Sequence, residues 1–99
     1  MGNWRKLLKE MALDDRPTNY TYSDASRVLI NLGFTLAPQR SGSHRTWRLE
    51  RKGLPSLVVG LVENGHGKLK TVYIKKMIST LGSAGLLDSH GGVDDAVVA

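Results

Sequence analysis

The sequence predicts an α+β domain: a three-stranded antiparallel sheet with helices on one face, in the order α-α-β-β-β-α. Three observations predict it. Two stretches with helical apolar spacing open the chain. Three short extended segments follow, joined by turn residues. Connections that short leave no room for crossover helices, so the strands form an antiparallel meander. A third helical stretch comes last, and each helix has an apolar stripe that must be buried against the sheet.

The first helix is expected over 3–13, where Trp4, Leu7, Leu8 and Met11 follow the i, i+3, i+4, i+7 spacing of one face. Asp14-Asp15-Arg16-Pro17 ends it, because the residue before a proline avoids helical geometry. Thr21-Tyr22-Ser23-Asp24 reads as a capping box, with Thr21 at the cap and Asp24 three residues on. The helix it opens buries Tyr22, Ala25, Leu29 and Leu32, and Gly33 stops it in a left-handed conformation.

The first strand is expected over 34–39, and Ser41-Gly42-Ser43 is turn chemistry. The second is expected over 44–50. Its alternation puts Trp47 and Leu49 on one face and His44, Thr46 and Arg48 on the other. Trp47 is therefore a core residue rather than a base-stacking one. Arg51 to Pro55 reads as a turn. The third strand, over 57–62, is almost continuously apolar, which predicts a central strand or one covered on both faces. Asn64-Gly65-His66-Gly67-Lys68 is a basic glycine-rich loop. Thr71 is expected to cap a last helix that buries Ile74, Met77, Ile78 and Leu81, turns Lys75 and Lys76 outward, and ends at Gly82 or Gly85.

At 99 residues the chain is one domain, expected over residues 1–87. Residues 88–99 have no core-forming pattern and are expected to be a disordered acidic tail. The net charge is +5. The tail holds Asp88, Asp94 and Asp95 and no Lys or Arg, so the body carries +8. A surface of that sign attracts polyanions and steers them in. There are no cysteines, hence neither disulfides nor thiolate metal sites. The three histidines are far apart and no acidic cluster joins them, so no metal and no other cofactor is expected. No apolar run approaches the ~20 residues that span a bilayer, and the first ten residues are too polar for a signal peptide. A cytoplasmic protein without membrane contact is expected.

The chemistry concentrates at Gly42-Ser43-His44-Arg45-Thr46-Trp47. It sets a histidine, whose unperturbed pKa lies near neutrality, among Arg40, Arg45 and Arg48. A proton-transfer group among phosphate-binding cations suits RNA cleavage. The same residues also suit a non-catalytic RNA-binding surface. Arg40, Ser43, Arg45, Arg48, Lys68 and Lys70 cluster around the two glycine-rich loops and are the candidate RNA and phosphate contacts. His66 is the candidate second acid/base, or a loop residue without a role. Ser43 has no strand–turn–helix elbow to present it as a hydrolase nucleophile.

The leucine-glycine-phenylalanine at 32–34, Gly42-Ser43-His44 with Trp47 three residues on, and His66-Gly67 with Leu69-Lys70 before a helix resemble the HicA family. The resemblance covers roughly residues 4–87. It implies a double-stranded-RNA-binding-like fold and a toxin of a toxin–antitoxin system that cleaves mRNA without a metal. It makes His44 the catalytic residue and implies a HicB-like antitoxin as partner. The chain departs from the family pattern in lacking a glutamate between Gly67 and Leu69, in a longer basic turn between strands two and three, and in the acidic tail. A non-catalytic double-stranded-RNA-binding module is the alternative that fold and charge allow.

Overall fold

The structure is a computed structural model that describes residues 3–38, 42–62 and 68–87. It is α+β, in the order α1 (Trp4–Leu13), α2 (Tyr22–Leu32), β1 (Thr35–Leu36), β2 (His44–Arg51), β3 (Leu54–Val62) and α3 (Thr71–Ser83). The strands form one antiparallel sheet in the order β1-β2-β3. The expected α-α-β-β-β-α order is therefore the observed one.

The helices begin and end as local chemistry dictates. Asn3 caps α1, its side chain accepting from the Lys6 N–H at 3.2 Å. At α2 the capping box is complete. Thr21 Oγ1 accepts from the Asp24 N–H, and Asp24 Oδ2 accepts from the Thr21 N–H, both at 3.0 Å. Thr21→Ala removes one of these bonds and is expected to cost about 1 kcal/mol of stability, measured by urea unfolding. An unchanged midpoint would mean that the cap does not hold the helix end.

The ends of α2 and α3 are the same device. Gly33 has φ 103° and Gly85 has φ 78°, the left-handed region that side chains disfavour. The Gly33 N–H donates to Ile30 O and the Phe34 N–H to Leu29 O; the Gly85 N–H donates to Gly82 O and the Leu86 N–H to Leu81 O. These are Schellman pairs. The residue after each glycine, Phe34 or Leu86, is buried, so each turn also feeds the core. Gly82 lies inside α3 and terminates nothing.

The core lies between the sheet and the helices. Leu8 and Met11 of α1, Ala25, Val28, Leu29 and Leu32 of α2, and Ile74, Met77 and Leu81 of α3 pack with Trp47, Val59 and Leu61 of the sheet. Val28 belongs to the α2 stripe although the expected pattern omits it, and Tyr22 is only half-buried. Burial along β2 alternates as expected: Trp47 is 4% exposed, whereas His44, Thr46 and Arg48 face outward.

Three expectations are corrected. The first strand spans only Thr35–Leu36 rather than 34–39. Phe34 is taken by the α2 terminus, and Pro38 has no N–H for the ladder; the last bond is Ala37 N–H to Thr46 O at 2.8 Å. The third strand starts at Leu54, follows a two-residue turn at Lys52-Gly53, and lies at the sheet edge. It is neither central nor covered on both faces: Val58 is 49% exposed. An edge also explains how Pro55 is accommodated inside a strand. Finally, Thr71 does not cap α3. Lys70 holds the cap position without a side-chain bond, while the Thr71 hydroxyl donates to Pro17 O at 3.2 Å.

Candidate functional site

His44 is the first residue of β2, and its side chain stands on the exposed sheet face. Its cross-strand partner is Val62, and Gly60 is its diagonal neighbour on the same face. Gly60 has no side chain, and a Cβ built there meets nothing within 4 Å. The outward sheet face between His44 and the β3 edge therefore carries no side chain at Gly60.

A groove of about 400 Å³ opens there, with His44 and Gly60 at one side and Tyr73, Lys76, Ser79 and Thr80 of α3 at the other. Val58, Val59 and Met77 supply its apolar part. It exists because β3 is an edge strand and α3 packs beside it. Among the described residues, no acidic side chain lines it. Among the described residues, the side chains of His44, Tyr73 and Lys76 make no hydrogen bond or ion pair, so all three are available to a ligand.

The backbone at this edge is open as well. The Ala37 N–H bonds Thr46 O, so Thr46 and Arg48 direct their backbone groups toward β1. By strict alternation, Trp47 exchanges bonds with its partner Val59. The N–H and C=O groups of Val58 and Gly60 then point away from the sheet.

The cations expected around His44 are dispersed by the fold. Arg45 has opposite strand parity. Its guanidinium donates to Gly42 O at 2.9 Å and to His44 O at 3.3 Å, fastening the turn that leads into β2. Ser43 is half-buried in that turn. Arg48 shares the face of His44 but pairs with Glu50 at 3.2 Å, and Glu50 also accepts from the Ser56 hydroxyl at 2.8 Å. Lys68 donates to Asn19 Oδ1 at 3.1 Å, in a segment bridged to Thr21. Lys70 is exposed at the start of α3, one turn before Tyr73. Arg40 and His66 lie outside the described residues, as does the tail over 88–99.

Gly60, Tyr73, Lys76, Ser79 and Thr80 line the groove and stand outside the expected site; Tyr73, Lys76 and Thr80 share one stripe of α3. Their signal was present: i, i+3 and i+7 on α3 form a second stripe beside the apolar one. Among the described residues, one ionisation is displaced, and it lies elsewhere. The Tyr20 hydroxyl is pushed above its ordinary range by burial first, then by Asp14, Glu10 and Asp24, none of which lines the groove. Among the described residues there is no group of three or more His, Cys, Asp or Glu side chains that could hold a metal ion, and no helix is long and apolar enough to cross a membrane.

No family model, no curated protein and no solved structure matches this chain.

Proposed function

We propose that this protein is a metal-independent endoribonuclease with His44 as general acid or base, acting on mRNA as a HicA-like toxin. The observation that carries the reading is the exposed His44, unpaired among the described residues, in a groove that holds Lys76 and no described acidic group. RNA supplies its own nucleophile. The 2′-oxygen loses its proton and attacks the adjacent phosphorus, the bond to the 5′-oxygen breaks, and that oxygen takes up a proton. The products are a 2′,3′-cyclic phosphate and a 5′-hydroxyl. His44 serves one of the two proton transfers, worth typically 10²–10⁴-fold. The Lys76 ammonium, helped by the Tyr73 hydroxyl, stabilises charge on the non-bridging oxygens.

This placement revises the phosphate contacts. Lys76 replaces Lys68 and Lys70 as the cation nearest the chemistry. Arg45 acts by holding the turn that presents His44, and Arg48 serves the outer sheet face. The family resemblance adds a small acidic HicB-like antitoxin that covers His44, and a cytoplasmic site of action where mRNA is met. Electrostatic complementarity to a basic chain favours such a partner.

The test uses a defined RNA in excess EDTA. Cleavage is expected to persist, mass spectrometry should find cyclic phosphate ends, and a 2′-deoxy sugar at the cut site should block the reaction. Cleavage of the deoxy substrate would rule out the mechanism. A second reading, a non-catalytic double-stranded-RNA-binding module, draws on the exposed Lys68 and Lys70 at the start of α3; it predicts RNA binding with no cleavage.

A further inference from the structure

We propose that the groove between β3 and α3 is a binding site for a single unpaired ribonucleotide, with Gly60 as the opening through which the chain passes from His44 into it. The inference rests on the nuclease reading for its chemistry but not for its geometry.

Size comes first. About 400 Å³ lies toward the small end of ligand sites, roughly 300–1,000 Å³. One nucleotide fits such a groove, whereas a stacked base pair does not. The lining comes second. Val58, 49% exposed, offers apolar surface to a base, and the Tyr73 ring offers a face for stacking. The Ser79 and Thr80 hydroxyls can donate to or accept from a base edge. Lys76 supplies the positive charge a phosphate needs, and with no carboxylate in the lining among the described residues the groove suits an anion.

The third argument is stereochemical. Attack by the 2′-oxygen requires it to stand in line with the bond that breaks, opposite the 5′-oxygen. The regular A-form helix holds the 2′-oxygen off that line. The nucleotide at the cut must therefore leave the stack, and an unstacked base needs somewhere to go. The groove beside His44 is that place.

Gly60 makes the proposal testable. It lines the groove beside His44, and its backbone conformation is one that any residue adopts, since Gly33, Gly42, Gly53 and Gly85 are the described glycines with positive φ. A β-branched side chain there suits an edge strand and adds bulk to the groove lining. Gly60→Val is thus expected to fold and to close the groove with His44 intact. Lys76 is exposed, so Lys76→Gln offers a second variant with little effect on the fold.

The experiment has two arms on the full chain. In the first, uridine 3′-monophosphate is titrated into ¹⁵N-labelled protein. Saturable shifts are expected at Gly60, Tyr73, Lys76 and Thr80, weakened at least tenfold in Gly60→Val and in Lys76→Gln. In the second, one target sequence is placed in the loop or in the stem of an RNA hairpin. The loop should be cut at least tenfold faster, and Gly60→Val should lose that cleavage at unchanged melting temperature. Nucleotide shifts in the groove without RNA cleavage would keep the site and sink the nuclease reading. RNA cleavage that Gly60→Val leaves at the wild-type rate would keep the nuclease and sink the site. Shifts confined to the outer sheet face, or displacement of the nucleotide by nothing but an acidic peptide lying along β3, would also overturn it.

Discussion

His44→Ala is expected to abolish RNA cleavage, by at least 10²-fold, without changing the fold. The two halves of that expectation have separate physical grounds. Among the described residues that line the groove, His44 is the one histidine, the side-chain type most often used for general acid–base work. Its stability role is slight. It is exposed and makes no side-chain hydrogen bond among the described residues, and such surface positions usually change stability by no more than about 0.5 kcal/mol. Loss of activity therefore reports chemistry rather than unfolding. The measurement is cleavage of a mixed mRNA in excess EDTA, wild type beside His44→Ala, with thermal melting of both. Equal cleavage would remove His44 from the mechanism. Cleavage by neither, with RNA binding retained, would establish the non-catalytic binding module instead.

Trp47→Ala is expected to cost about 3–5 kcal/mol. Trp47 sits in the middle strand, 4% exposed, between Leu36 of β1 and Val59 of β3. Its ring meets the core that the three helices close, so truncation leaves a cavity that both sheet and helices border. A domain of this kind has about 5–15 kcal/mol in total, so the loss removes a large part of it. Melting should fall by on the order of 20 °C. One term opposes the cavity. Trp47 Nε1 is buried without a hydrogen-bond partner, and an unsatisfied donor costs about 1–3 kcal/mol. Removing it returns some of that, which places the net effect toward the lower end. Trp47→Phe separates the two, since it deletes the N–H while keeping a ring. It should be at least about 1 kcal/mol milder than Trp47→Ala, read by denaturant unfolding. A Trp47→Ala protein of wild-type stability that had lost RNA affinity would make Trp47 an RNA-stacking residue after all.

The candidate site was half legible in advance. His44 announced itself by residue type and setting, and strand parity placed it opposite Trp47. The cations nearest His44 in sequence are not the ones that share its groove. Arg45 is adjacent to His44 in the chain and points to the other face. Lys76 is thirty-two residues away and lines the same groove. The apolar run of β3 misled in a similar way, since it argues for burial on both faces. Pro55 within that segment was the sign of an edge strand.

What the sequence determined by itself is what short-range physics controls. The capping box at Thr21 and Asp24, the left-handed stops at Gly33 and Gly85, and the alternation through Trp47 each involve groups within a few residues of one another. Their energies are settled wherever the rest of the chain goes. The groove was decided only by tertiary structure. A third strand left at the edge, a helix packed beside it and a glycine between them bring His44 to Tyr73 and Lys76. That juxtaposition follows from burying three helical stripes against one sheet face, a global packing solution that no local stretch of residues encodes.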